Sequence, residues 1–294
     1  MRNESSLFLE YLIHEKKYSV HTISAYEKDL DSFINFMQNE MEFNSIQEIT
    51  HFQIRTWLSS LMQDKVSSAS VKRKVSSLRS FYKYLLKKSI IDKNPMDKVV
   101  APKAVKSLPK FVNKNALNEL IDSIEVNEDD LFEWQKKIIL LIFYHTGIRR
   151  SELINLNISD IDVGQKYLKV LGKGNKERLV PFANELSKEL DKFIALRKRK
   201  FEGSILIVNK KGEKVNPKYI YNVVSSFLSK INVASQVSPH VLRHSYATNL
   251  LNNGADINAI KELLGHANLN ATQIYTQNSI ESLKNIHRKM HPKS

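Results

Sequence analysis

The sequence predicts a mainly α-helical chain in two domains, a four-helix domain followed by an α+β domain with a small antiparallel sheet. Three observations predict it. Apolar residues recur at spacings of three and four through residues 1–90, as in helices that each bury one stripe. A basic stretch with prolines at 95, 102 and 109 then interrupts the pattern, since proline suits neither a helix interior nor a central strand. Beyond it helical periods return, except that "QKYLKVLGKGNKERLVPF" alternates apolar and polar residues as a strand pair does.

The first helix is expected around 7–13. The second lies between 19 and 40, where Ile23, Tyr26, Leu30, Phe33, Ile34 and Met37 form one stripe; Ile54, Trp57, Leu58, Leu61 and Met62 mark the third, and Val71, Val75, Leu78, Tyr82 and Leu85 the fourth. "NPMDKVVAPKAVKSLPKF" reads as a linker, which puts the boundary near 105 and the domains at 1–105 and 106–294. The second domain opens with helices over 116–124 and 131–145. Its strands flank Gly174-Asn175, read as a two-residue turn. Helices resume after Asn184, with "SILIV" at 204–208 a further short-strand candidate.

The chain has no cysteine, which excludes disulfides and thiolate metal sites. Its longest apolar run, "IILLIFY" at 138–144, is far shorter than the roughly 20 residues of a membrane span. The N-terminus has polar residues where a secretory signal would be apolar, so a cytoplasmic protein is expected. Lys plus Arg number 45 against 31 Asp plus Glu, a net charge of +14. The excess is concentrated between Lys65 and Lys103, which suits a nucleic acid with closely spaced charges. In the fourth helix Lys72, Arg79 and Lys83 lie off the apolar stripe, so one side can pack while the other meets phosphates. The linker lysines Lys98, Lys103, Lys106 and Lys110 could follow a phosphate backbone, as expected if the two domains close around a duplex as a C-shaped clamp.

Candidate chemistry begins at "SPHVLRHSYATNLL". Ser238 suits an N-cap and Pro239 the first helical position, so His240 and Arg243 share a face near a helix start, where free N–H groups favour an anion. His240 and His244 lack the further ligands a metal would require. In "YHTGIRRSELINL" Arg149 follows the end of a long apolar helix, and Glu152 is placed to brace it. "LGKGNKER" puts Lys173 at a hairpin tip, without the residues of a phosphate-binding loop. "ELLGHANLNATQIYTQ" ends a helix at Gly265, presents His266, and reaches Tyr275 in a helix capped by Asn270.

Together "TGIRRSEL", "GKGNKERLVP", "SPHVLRHSYATNLL" and "LLGHANLNATQIYT" resemble, in order and spacing, the motifs of the tyrosine recombinases of the phage integrase family. They are most similar to the Xer site-specific recombinases of bacteria, over nearly the whole chain. The resemblance implies a SAM-like DNA-binding domain before the linker and a catalytic domain after it. It implies an active site of Arg149, Lys173, His240, Arg243, His266 and the nucleophile Tyr275, with Glu152 supporting Arg149. Phosphate contacts are expected from Lys72, Arg73, Arg79, Lys83 and Lys103. Gln277 and Asn249 stand where Xer proteins often have His, and neither replaces a catalytic residue.

The implied activity is cleavage and rejoining of DNA strands through a 3′-phosphotyrosine, resolving chromosome dimers at a specific site. No cofactor and no metal are expected. Expected partners are double-stranded DNA, a tetramer of identical protomers or of two plus two with a second recombinase, and a septal DNA translocase as candidate activator. The segment "SIESLKNIHRKM", with Ile280, Leu283 and Ile286 as its stripe, is expected to dock on a neighbouring protomer. The alternatives are an integrase of a phage or mobile element, which often carries an extra N-terminal module, a type IB topoisomerase, and a catalytically silent DNA-binding regulator. Were Tyr275 not the nucleophile, Tyr246 and Ser245 would be its nearest competitors.

Overall fold

The computed structural model describes residues 1–100, 114–127, 129–172, 176–231, 238–265 and 290. The chain divides into two compact units, Met1–Leu108 and Pro109–Ser294. It is mainly α-helical, with one three-stranded antiparallel sheet.

The first unit holds helices α1 (Arg2–His14), α2 (Val20–Asn39), α3 (His51–Gln63) and α4 (Ser68–Lys87), then a 3-10 turn at Pro95–Lys98. Local chemistry sets the starts. Ser19 and Ser67 accept from backbone N–H groups of their first turns, and Gln53 reaches back to the Thr50 N–H at 3.0 Å. Phe8, Leu30, Phe33, Trp57, Leu78 and Tyr82 meet in a single core. Two expectations need correction. The first helix is longer than residues 7–13 and buries Phe8 and Leu12, leaving Leu7 and Ile13 exposed. Met62 is exposed because it lies about 100° around the helix from Leu61, outside the stripe.

A buried carboxylate locks α2 onto α4. Asp29, 1% exposed, accepts from the Arg73 guanidinium and from Ser77 Oγ at 2.8 Å, with Lys74 Nζ at 3.5 Å. Arg73 also donates to Ala25 O at 3.1 Å. Arg79 Nη2 donates to Val99 O at 2.8 Å. The four α4 residues expected to contact phosphate, Lys72, Arg73, Arg79 and Lys83, are all exposed, and Arg73 and Arg79 also donate to acceptors within the first unit. Lys103 lies outside the described residues.

The second unit contains α5 (Lys114–Asp122), α6 (Leu131–Thr146), α7 (Arg150–Asn155), strands β1 (Ile161–Asp162), β2 (Tyr167–Leu171) and β3 (Glu177–Pro181), and helices α8 (Asn184–Lys200), α9 (Pro217–Leu228), α10 (Pro239–Asn252) and α11 (Ile257–Leu264). Helix α6, apolar on every side through 138–143, is the central rod against which α8, α9 and α10 pack. The strand order is β1-β2-β3. Leu171 pairs with Glu177, and Gly172 N donates to Lys176 O at 2.8 Å. A two-residue turn at Gly174-Asn175 would instead set Leu171 opposite Arg178, so the described register corrects that expectation. The 204–208 segment forms isolated bridges, Asn157 with Ile205 and Val208 with Lys214, rather than a strand. Among the described residues, no helix is long and apolar enough to cross a membrane.

The Asp29 lock yields a first prediction. Arg73→Ala, which strands a buried carboxylate, is expected to destabilise the first unit by about 2 kcal/mol. The urea midpoint read from Trp57 fluorescence in a Trp134→Phe background measures it, and an unchanged midpoint would show that the lock is dispensable.

Candidate active site

The site forms where four pieces of the second unit meet: the α6–α7 junction, β3, the start of α10 and the end of α11. Helix α6 stops at Gly147, whose φ of +58° is the left-handed conformation glycine adopts without strain. A Cβ there would lie 2.6 Å from the Tyr246 ring. The chain then turns through buried Ile148 and starts α7 with Arg149 as its N-cap. Glu152 at N3 accepts from the Arg149 backbone N at 2.6 Å, half of a capping box, and from Arg149 Nη1 at 2.8 Å.

Helix α10 starts at Pro239, with Ser238 as its N-cap residue. The Ser238 side chain makes no capping hydrogen bond, contrary to expectation. Its inner residues split between two cores, Leu242 joining the large one around α6 while Tyr246 and Leu250 pack on α11. This double anchorage fixes Arg243. Its Nη1 donates to Gly147 O at 2.7 Å and its Nη2 to Leu264 O at 2.5 Å. His240, one turn earlier, is exposed, and among the described residues no hydrogen bond ties it to the arginines.

Sequence reasoning missed Arg178. On β3 it shares the inward face with Val180 and is 4% exposed. Its Nη1 and Nη2 donate to the two oxygens of Glu152 at 2.9 and 2.8 Å, and its Nε donates to Leu263 O at 2.8 Å. The strand period was the available signal: an arginine two residues from a buried valine points inward and needs a buried acceptor.

Three arginines thus end on three consecutive carbonyls. Arg178 takes Leu263 O, Arg243 takes Leu264 O, and Arg149 Nη2 takes Gly265 O at 2.8 Å. Those groups have no partner within α11, because the last carbonyls of any helix lack one. They also form the negative end of its dipole. Gly265, at φ +63°, closes the helix where a Cβ would sit 3.0 Å from Arg178 Nη1.

The charges are strongly coupled. Burial alone would raise the Glu152 carboxyl, but hydrogen bonds and charge from Arg178, then from Arg149, outweigh it and hold it at about 2. Arg243 is lowered to about 10, mainly by burial and then by Arg149, and so stays cationic at neutral pH. One carboxylate against three guanidiniums leaves net positive charge in a partly buried pocket, a site suited to an anion with several oxygens. Arg149 is far more accessible than Arg178, its side chain 31% exposed against 5%. Among the described residues no group of three or more His, Asp or Glu could hold a metal ion. Tyr246 is buried and its phenol is raised by that burial; Ser245 is 2% exposed. Neither is placed to attack an external phosphate. Lys173, His266 and Tyr275 lie outside the described residues.

Residues 110–281 match the model of the phage integrase family, and residues 6–89 that of the phage integrase N-terminal SAM-like domain. Tyrosine recombinase XerC of Listeria innocua serovar 6a is 38% identical over 293 residues, covering 98% of this chain and 97% of that protein. XerC of Bacillus subtilis is 34% identical over 300 residues, covering 100% and 98%. The chain belongs to the phage integrase family. Within it, this is a tyrosine-type site-specific recombinase. The fold agrees: XerH bound to its difH substrate superposes with a TM-score of 0.70 at 24% identity, covering 95% of this chain and 83% of that one. The Tn1549 transposon integrase with transposon right-end DNA gives 0.73 at 18%, covering 95% and 97%.

The state of Glu152 sets a pH dependence for this recombinase. Its folded pKa lies below the ordinary 4.5, so its contribution is complete above that value and is lost as pH falls from 4.5 towards 2. Glu152→Gln is expected to be about 3 kcal/mol less stable than wild type at neutral pH, with the gap closing across that window. Urea unfolding at a series of pH values checks this. A gap that stays constant down to pH 2 would contradict it.

Proposed function

We propose that this recombinase resolves chromosome dimers by exchanging strands at a specific site on double-stranded DNA. The observation that carries the phosphate-handling part of this reading is the anchoring of Arg149 and Arg243 on adjacent carbonyls, Gly265 and Leu264, which brings two guanidiniums together on one pocket. The near full-length match to XerC relatives in both directions favours the chromosomal role over that of a mobile-element integrase.

In this reading Tyr275 Oη attacks the scissile phosphorus, a P–O bond to tyrosine forms, and the P–O5′ bond breaks. A tyrosine with an ordinary pKa near ~10 needs a base, and His240 at the exposed start of α10 takes the proton. Lys173 returns a proton to the departing 5′ oxygen, and His266 donates a hydrogen bond to the phosphate. Arg149 and Arg243 stabilise the charge that grows on the non-bridging oxygens, the kind of interaction that lowers a barrier because it strengthens in the transition state. The phosphotyrosine conserves the phosphodiester, so a 5′ hydroxyl can reverse the step without a nucleotide cofactor.

The working assembly is a tetramer on DNA in the cytoplasm, of one chain or of two plus two with a second recombinase, with a septal translocase as activator. Its structural neighbours include a recombinase and an integrase bound to DNA. In the first unit Lys72, Arg73, Arg79 and Lys83 take the phosphate contacts on α4, Arg73 and Arg79 also holding the helix in place.

Tyr275→Phe is expected to bind target DNA as wild type does and to form no covalent complex. DNA trapped covalently on the wild-type protein is sequenced to define the site, and a duplex of that sequence nicked near the scissile phosphate then traps the enzyme as a band stable to denaturation. A band from Tyr275→Phe would move the nucleophile elsewhere; none from wild type would favour a silent DNA-binding regulator. Separately, Lys72→Ala with Lys83→Ala is expected to lower the slope of log affinity against log salt by about 1.8, since each lost phosphate contact removes ~0.9. An unchanged slope would place the interface on another face.

A further inference from the structure

We propose that Arg178 is a positioning residue of the recombination site, holding Glu152, and through it Arg149, in the orientation that grips the scissile phosphate. The inference rests on the phosphate-handling role given above to Arg149.

Geometry carries the argument. Glu152 offers two oxygens and both are shared: Oε1 accepts from Arg149 Nη1 and Arg178 Nη1, and Oε2 from the Arg149 backbone and Arg178 Nη2. Arg149 reaches both oxygens from within the same turn of α7, by its backbone N–H and by Nη1. The bidentate pair from β3 anchors that turn to a second element, because two parallel N–H donors fix a carboxylate plane. The third donor of Arg178, Nε on Leu263 O, ties the same guanidinium to the end of α11, where Arg149 has its second anchor. Gly265 leaves room for it: a Cβ there would come within 3.0 Å of Arg178 Nη1. Arg178 is too buried to touch DNA, so its effect must pass through its neighbours. Because β3 pairs with β2 up to Leu171–Glu177, Arg178 also fastens this end of the strand pair to the end of α11.

Lysine keeps the charge but cannot make the paired contact, so Arg178→Lys separates positioning from charge compensation. Arg178→Lys is expected to bind the nicked duplex within about 3-fold of wild type and to cleave it about 100-fold more slowly, the scale of loss that a misplaced catalytic group gives. In a Glu152→Gln background the same substitution is expected to cost less than about 3-fold further, because its route is already cut. The Nε–H resonance of Arg149 in 15N-arginine-labelled protein is expected to broaden in Arg178→Lys.

Cleavage by Arg178→Lys within about 3-fold of wild type overturns the proposal, as does a loss that multiplies fully with that of Glu152→Gln. If Arg178→Lys does not fold, Arg178→Met with Glu152→Gln, which removes both buried charges, is compared with Glu152→Gln alone under the same criterion. A wild type that never cleaves refutes the recombination reading. The Arg149 resonance then still decides the positioning claim, an unbroadened signal sinking it.

Discussion

The catalytic unit depends on how one short helix ends. Helix α11 leaves the carbonyls of Leu263, Leu264 and Gly265 without helical partners, and each is taken by a different arginine, from β3, α10 and the α6–α7 junction. Hydrogen bonds from charged donors contribute about 1.5–3 kcal/mol each. These three also have an architectural effect, since they join parts of the chain that are far apart in sequence.

That arrangement also resolves an electrostatic difficulty. Three guanidiniums near one another repel, and desolvation adds to the cost; Arg243 shows the strain as a lowered pKa. Glu152 offsets part of it by accepting from two arginines at once, and the helix dipole offsets more. The compensation is incomplete by design of the charge count. A pocket with net positive charge, its guanidiniums already hydrogen-bonded to fixed carbonyls, is suited to stabilise an incoming phosphate with little reorganisation.

The first unit uses its basic residues differently. Arg73 and Arg79 lie on α4, but their donors close the packing of α2 and of the segment after α4. All four basic residues are nonetheless exposed, Lys72 and Lys83 as well as the two arginines. The division follows side-chain chemistry: a planar guanidinium satisfies several fixed acceptors at once, while an ammonium on a flexible stem loses little by remaining solvated. Part of the positive charge along this helix therefore serves its packing as well as its surface.

Much of this was legible in the linear sequence. Period and caps located the helices, alternation located the strand pair, and the "TGIRRSEL" and "SPHVLRHSYATNLL" motifs marked Arg149, Glu152 and Arg243 before any geometry was known, because local spacing determines which residues share a helix face or a turn. Arg178, Asp29 and the exposure of Met62 were not legible in the same way, since burial belongs to the partner across the interface and not to the residue itself. The hairpin register likewise came from pairing along the whole strand, which a glycine-asparagine pair alone does not set. Above all, sequence spacing placed Arg149 and Arg243 on separate elements and could say no more. Only the folded unit brought them to neighbouring carbonyls, because a helix terminus acquires its function from whatever tertiary packing sets against its unpaired groups.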